Sequence, residues 1–344
     1  MSNRLNDSPC GSPTIQDEVD FLSDPSTYPG KDAPVTTIET HMAWVFLVGD
    51  EAYKLKKCIK RPGMDYSTRA ARRHDAFAEV RLNRRLAPTI YRGVQRITRG
   101  PDGALRLNED GDVVDWVVHM RRVPGHASVH AHIEADSLTR SHIRAVADRL
   151  SRFYRDSPTV GLNPSAYIER FHSRLDFNED VLRTPAYALN ASLISDATER
   201  LRNHIDGHAS DLSARASRVV DGHGDLRPEH VYLQPYPLVI DCIAFDRGLR
   251  LLDPADELSF LSMECTQLGA EWVGPELFDV YSDITGDHPT PSLISFYQAQ
   301  EACTRARLAI WHLDDGDDVD AAHWRNEAER YLLTTVAEME RAKP

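Results

Sequence analysis

Between residues 218 and 252 a helical run gives way to a turn, a polar loop and two short strands, VYL (231–233) and LVID (238–241). The segment DGHGDLRPEHVYLQPYPLVIDCIAFD (221–246) puts Asp225 in the loop before the first strand. It puts Asp241 at the end of the second, sixteen residues later. If the strands pair as a hairpin, both carboxylates reach one edge. Phosphoryl transfer needs such a pair. One carboxylate orients the attacking hydroxyl and accepts its proton, and the other holds the divalent metal that neutralises phosphate oxygens. An HGD tripeptide alone is more often a solvated turn, so the surrounding chain has to carry the reading.

That chain divides into a strand-rich first third and a mainly helical remainder. Residues 1–13, rich in Ser, Asn, Pro and Gly, read as a disordered tail. After Thr14 a short helix places Ile15, Val19 and Leu22 on one face, and Pro25 and Pro29 end it. WVFLV (44–48), Gly49-Asp50 and EAYKLKK (51–57) read as a hairpin with a tight turn. A helix over 67–86 carries an apolar stripe from Ala71 to Leu86 and stops at Pro88. Strand-like runs follow at 89–97 and 113–120, then a linker, RRVPG (121–125). Helical spacing recurs at 136–156, 164–181, 192–210, 255–265, 291–312 and 320–341. The class is α+β, and 344 residues suffice for two cores.

Charge narrows the function. With 53 acidic residues against 40 Lys plus Arg, the net charge of -13 excludes nucleic acid as the main partner, because a phosphate backbone needs a basic footprint. One local pocket can still be positive and hold a small anion. The five cysteines show no CxxC pairing, which fits a reduced cytosol, with Cys242 and Cys265 in the core. The N-terminus is polar, and the longest apolar run, 44–48, is far too short to span a bilayer. The expectation is a soluble cytoplasmic protein with no membrane partner.

HGDLRPEH (223–230) resembles the HGDxxxxN catalytic loop of the aminoglycoside phosphotransferase family and echoes HRDLKPEN of eukaryotic-type protein kinases. Asp241 matches the metal-binding aspartate both groups place after that loop. DPADELSF (253–260) resembles the DxxxDLA-type segment that follows, where Asp256 would brace the loop. EAYK (51–54) looks like the strand carrying the ATP-binding lysine. That makes Lys54 the phosphate ligand, with Lys56 on the same strand face as its rival. Glu79, followed by LxxxLAP, stands where the family's helix supplies the glutamate that pairs this lysine. HMAW (41–44) resembles the hairpin turn over the phosphates. VVHMRRVPG (117–125) resembles the hinge, where backbone groups of Met120 and Arg121 would meet adenine. The matches run in the family's order from about residue 35 to 312. They are nearest to an uncharacterised bacterial branch whose members are sometimes joined to a P-loop NTPase domain. This sequence has no GxxxxGK[ST], so the branch expected is the one without that domain.

The resemblance implies a bilobal protein-kinase-like fold: a small β-rich N-lobe over 14–121 and a larger helical C-lobe over 122–344 carrying the loop 221–246. It implies an ATP-dependent small-molecule kinase using Mg²⁺ (Mn²⁺ being possible), with a hydroxyl compound as acceptor. Asp225 would be the base, and Arg227 would stabilise charge on the moving phosphoryl group. Asp241 and His230 would hold the metal. His230 departs from the family, which has Asn there; a histidine nitrogen is softer than an amide oxygen and suits Mn²⁺ or Zn²⁺ better than Mg²⁺. Two alternatives follow, a nucleotide-binding pseudokinase acting as a regulatory module and a kinase acting on protein. No segment resembles a DFG–APE activation loop, which counts against the second.

Other motifs have plainer readings. His126, His130 and His132 lack partners at metal-ligand spacing and read as a solvated loop. His223 orients the loop by hydrogen bonding. Arg69, Arg72 and Arg73 read as a solvated basic face, Trp272, Trp311 and Trp324 as core or groove residues, and DDGDDVD (314–320) as an exposed loop.

Overall fold

The computed structural model describes residues 14–28, 30, 33–61, 63–314 and 320–343. The 1–13 tail and positions 315–319 of the acidic run lie outside these described residues. The chain forms two compact units, Met1–Ser128 with Leu238–Leu249, and Val129–Pro237 with Arg250–Pro344. The contacts thus divide at Ser128, past the 121–122 boundary read from the sequence, and 238–249 count with the first unit.

The first unit is built on α1 (Ile15–Ser23), β1 (Val35–Glu39), β2 (Ala43–Val48), β3 (Glu51–Lys56), β4 (Lys60–Arg61), β5 (Met64–Asp65), α2 (Arg69–Asn83), β6 (Tyr91–Arg99), β7 (Leu105–Leu107) and β8 (Asp112–Arg121). Six strands make one antiparallel sheet in the order β1-β2-β3-β8-β6-β7. The expected hairpin is present: Val48 pairs Glu51 across a two-residue turn whose Gly49 has φ +59°, the left-handed geometry such turns require. Strand alternation sends Tyr53 and Leu55 into a core shared with Val19 and Leu22 of α1. Lys54 and Lys56 therefore point to the opposite face, towards α2. Thr68 starts α2, its Oγ1 accepting from the Ala71 N–H at 3.1 Å.

The second unit is mainly helical: α3 (Val129–Glu134), α4 (Arg140–Asp156), α5 (Pro164–Leu182), α6 (Ala191–Gly207) and α7 (Ala209–Ala214) precede β9 (Val220–Asp221) and β10 (Val231–Tyr232). After β11 (Leu238–Val239), which counts with the first unit, come β12 (Leu251–Leu252), α8 (Pro254–Gln267), α9 (Val273–Thr285), α10 (Pro291–Ile310) and α11 (Ala321–Arg341). Its core draws on Ile143, Val146 and Leu150 of α4 and on Phe296, Tyr297 and the small residues Ala299, Ala302 and Ala306 of α10. Antiparallel β9 and β12, pairing Asp221 with Leu251, clamp the two ends of the stretch that contains Asp225.

The α+β class holds, and so do the helical segments. Three readings change. The strand expected over 238–241 ends at Val239, so Asp241 stands just past it. The helix expected from 136 starts at Arg140 behind its Thr139 cap. The segments α3, α7, α9 and β7 were among those not anticipated: α3, α7 and β7 are too short to show a period, and α9 opens on Val-Gly-Pro. No helix among the described residues is long and apolar enough to cross a membrane.

Candidate active site

In the first unit, five charged side chains interlock on the face of the sheet that meets α2. Lys54 Nζ lies 3.1 Å from Glu79 Oε1 and 2.6 Å from Asp241 Oδ1. Lys56 Nζ lies 2.5 Å from Glu79 Oε2 and 2.8 Å from Asp75 Oδ2. Glu79 is 1% exposed and receives one ammonium on each oxygen. Burial alone would lower the Lys54 ammonium, but Asp241 and Glu79 lift it well above its ordinary value. Burial would raise the Glu79 carboxyl, and the two lysines outweigh it and hold it low.

Asp241 closes this group from a strained position. Its φ is +63°, a left-handed conformation that costs a non-glycine residue about 1 kcal/mol or more. Two hydrogen bonds hold it there: its N–H donates to the Tyr91 hydroxyl at 3.2 Å, and the next N–H, of Cys242, donates to Asn83 Oδ1 at 2.9 Å. Asn83 ends α2 and Tyr91 begins β6, so the elements that seat Glu79 also aim Asp241. The Asp241 side chain is 43% exposed, against 2% for Glu79 and 3% for Asp75. Of the three carboxylates in this group, Asp241 is the accessible one, and Lys54 is its ion-pair partner there.

Met120 and Arg121 end β8 beside this cluster's strand, Met120 pairing Ala52 and Arg121 pairing Glu51. The Arg121 N–H donates to Ile90 O at 2.9 Å, and the Arg122 N–H to Asp50 O at 2.8 Å. The donors at these two positions are therefore spent inside the unit.

In the second unit, Asp225 is held by backbone bracing. The N–H groups of His223 and Gly224 both donate to Glu257 Oε1, at 2.8 and 2.5 Å, and the Tyr154 hydroxyl donates to Glu257 Oε2 at 2.7 Å. A Cβ on Gly222 would meet Glu257 Oε2 at 2.8 Å, so only glycine lets the loop come this close. Glu257 lies in the first turn of α8, whose start is fixed by Asp253. Asp253 accepts from the Ala255 N–H at 3.0 Å and is gripped by Arg215 at 2.5 and 2.8 Å. The Asp225 N–H donates to His223 Nδ1 at 3.3 Å, as expected for a histidine that orients the loop. His230 Nδ1 lies 2.9 Å from the Asp225 carbonyl oxygen and 3.5 Å from its Oδ2. Arg227 pairs with Glu229 two residues on.

The structure thus gathers Lys54, Lys56, Glu79 and Asp241 in one unit, and Asp225, Arg227 and His230 in the other. The brace of the loop is Glu257, not Asp256. Asp256 turns away to Arg174 at 3.8 Å, and burial with Glu301 nearby raises its carboxyl. The sequence carried the signal: the acid four residues after Asp253, just before Leu258, is Glu257. Asp75 was also missed, although it sits one helical turn before Glu79 on the same face. Nothing in the sequence singles out Tyr91 or Asn83. Arg72 is not on a solvated face; its guanidinium is 5% exposed and grips Asp115 at 2.6 Å. The stretch of His126, His130 and His132, read as a solvated loop, is helical instead: His130 and His132 lie on α3, where His130 Nε2 is 3.2 Å from Glu134 Oε1. Among the described residues no three His, Cys, Asp or Glu side chains form a metal-binding set.

No family model matches the chain. It is 27% identical over 325 residues to uncharacterised proteins of Mycobacterium tuberculosis and Mycobacterium bovis, covering 92% of this chain. The chain spans 62% of the length of these curated relatives. A choline/ethanolamine kinase family protein from Mesorhizobium loti superposes with a TM-score of 0.53 at 16% identity, covering 96% of this chain and 99% of that one. An aminoglycoside phosphotransferase in complex with GDP gives 0.55 at 15%, covering 94% and 97%. A choline kinase from Streptococcus pneumoniae gives 0.52 at 12%, covering 93% and 99%. These likenesses show the fold: it is the protein-kinase-like fold of small-molecule kinases.

Proposed function

We propose that this protein-kinase-like chain moves the γ-phosphoryl group of ATP to a hydroxyl of a small molecule. The observation that carries the reading is Lys54, whose ammonium bridges buried Glu79 and accessible Asp241. A lone lysine on a flexible stem would not stay in one place; here it is anchored on one side and presented on the other.

In this reading Lys54 holds the α/β-phosphates, Glu79 fixes Lys54, and backbone groups near Met120 and Arg121 meet the adenine. With the Arg121 N–H spent on Ile90, carbonyl oxygens are the groups left to that position. Asp225 orients the acceptor hydroxyl. As the acceptor oxygen bonds to the γ-phosphorus, the bond from that phosphorus to the β–γ bridging oxygen breaks. The hydroxyl proton passes to the Asp225 carboxylate, and ADP leaves. Arg227 stands two residues on, where a guanidinium can stabilise the moving charge. The gain in rate comes from alignment and fixed charge.

Asp241, helped by His230, would hold Mg²⁺ or Mn²⁺, which when bound supplies neutralisation of the phosphate oxygens. The residues fit such an ion. Asp241 is the accessible carboxylate of its group, and Mg²⁺ is commonly held by one or two carboxylates plus substrate phosphates, not by a dedicated protein cage. Choline and aminoglycosides, named in the structural neighbours, are hydroxyl-bearing cations, which supports a small-molecule acceptor. We place the activity in the cytoplasm, where ATP is abundant.

One observation favours a second reading, a nucleotide-binding pseudokinase: His230, which stands where the resembled family has Asn, has its Nδ1 2.9 Å from the Asp225 carbonyl oxygen. Purified protein incubated with ATP and Mg²⁺ or Mn²⁺ separates the two. A live site turns ATP over slowly without acceptor, and a thermal-shift screen of metabolites with an ATP analogue then finds the acceptor. Binding of the analogue with no turnover under either metal would leave only the pseudokinase.

A further inference from the structure

The sequence offers Lys54 and Lys56 as rivals for the same task, because both point from β3 to one face. The structure gives them different surroundings. Lys56 Nζ is enclosed by two carboxylates, Asp75 at 2.8 Å and Glu79 at 2.5 Å, and lies 5.5 Å from the centre of the Tyr66 ring. Its side chain is 7% exposed, and both carboxylates that hold it belong to α2. Lys54 instead reaches the accessible Asp241.

We infer that Lys56 and Asp75 are positioning residues for the phosphate-binding lysine. Lys56 occupies one oxygen of Glu79, so the other oxygen is turned to Lys54, and Lys54 is held against Asp241. The inference rests on the proposed phosphotransferase reading and assigns work within that same site.

The physical reason is charge balance in a dry place. Glu79 and Asp75 are two buried carboxylates about one helical turn apart on the same face of α2, and they need two cations close by. With Lys56 present, each carboxylate has its own share and Lys54 can lean outward. With Lys56 removed, both oxygens of Glu79 fall to Lys54 whether or not Asp75 is charged, and Lys54 is drawn inward, off Asp241. The site then keeps its lysine and loses its geometry. Asp75 gives Lys56 a second buried carboxylate at 2.8 Å, which holds its ammonium in the buried group and away from phosphate.

The test uses the full-length purified chain, wild type and K54M, K56M, K56R and the double variant K56M/D75N. Acceptor-independent ATP turnover with Mg²⁺ or Mn²⁺, the apparent KM for ATP and the melting temperature are measured on each. K54M should abolish turnover. K56M should lower kcat about tenfold or more, through misplaced Lys54, with a smaller change in KM, and should melt earlier because it strips one partner from a buried pair. K56R, which keeps the cation, should recover most of the turnover. The decisive variant is K56M/D75N. Removing a buried pair of opposite charges together is tolerated far better than removing one. It should therefore regain the melting temperature and stay as slow as K56M. If the double variant regains turnover as well, Lys56 only stabilises the fold and the inference is overturned. It is equally overturned if K56M is as active as wild type while K54M is dead, or if K56M is dead while K54M is active, since Lys56 would then be the phosphate ligand. Wild-type protein that turns over no ATP with either metal sinks the phosphotransferase reading itself, and the inference falls with it.

Discussion

The two units hold their candidate carboxylates in opposite ways. In the first, side-chain charges hold one another: Lys54, Lys56, Glu79 and Asp75 form a closed group, and Asp241 is attached to its edge. In the second, the loop's own backbone is held: Glu257 takes two successive N–H groups, and the Asp225 side chain is left to its neighbour His230. A charge cage fixes an ammonium whose stem is flexible. A backbone brace fixes a carboxylate whose stem is short, where the main chain already determines the direction. The first arrangement is expected to be sensitive to charge-changing substitutions, and the second to loss of a hydrogen-bond acceptor.

The largest effects test the tips of the two arrangements. D225N should lower phosphoryl transfer about 10²- to 10⁴-fold, the range for loss of a general base, with the melting temperature unchanged. D241N should do at least as much to metal-dependent turnover. It should change stability little, since the side chain is 43% exposed and an amide oxygen can still accept from Lys54. Steady-state kinetics and calorimetry on both variants decide this. A D225N protein with near wild-type turnover would remove Asp225 from the chemistry. Next in size is the brace. E257Q keeps the shape but turns a carboxylate that accepts at both oxygens into an amide with one acceptor, so a buried donor loses its partner at about 1–3 kcal/mol. Urea melts should show that loss together with reduced turnover. If stability falls and turnover does not, the brace is structural alone. Smaller again is H230N, which returns a hard amide oxygen to the second metal position and should raise Mg²⁺-dependent turnover several-fold relative to Mn²⁺. An unchanged ratio between the two metals would separate His230 from the metal.

Much of this was legible in the chain, for identifiable reasons. Period-two alternation with a Gly-Asp turn gave the hairpin that presents Lys54, and the 3.6-residue stripe gave the helix that presents Glu79. Their meeting was expected from the resemblance. What the chain did not disclose is how the meeting is stabilised. Asp75, Asn83 and Tyr91 act through contacts with partners far away in sequence: Asp75 is an ordinary helix acid until Lys56 is seen beside it, and Tyr91 is an ordinary strand tyrosine until it meets the Asp241 N–H. Glu257 was mistaken for its neighbour because Asp256 looked as suitable in chemistry, and only spacing separates them. The left-handed turn at Asp241 had no glycine to announce it.

The smallest effect sharpens the idea of charge balance inside the first unit. Glu18, Asp115 and Arg72 form a second buried cluster there, on the side of α1. It has two carboxylates, and Arg72 is the one cation tied to Asp115 by an ion pair, where the Lys54 group has two cations for its two buried acids. A proton makes up the difference: burial first, then the nearby Asp115, pushes Glu18 up to about 8. Because the folded state holds this proton more tightly than the unfolded chain, the stabilisation is complete below the ordinary carboxyl range and is lost as pH rises through about 8. E18Q supplies the donor permanently. It should match wild type near pH 4.5 and melt higher by about 2–4 °C at pH 9, the shift that roughly 1 kcal/mol gives in a domain of this size. Melting curves across that range settle it. A difference that stays constant with pH, or a glutamine variant that melts lower at pH 9, would mean that the cluster is balanced by Arg72 and Arg69 alone and that the contrast with the lysine cage is one of position, not of charge.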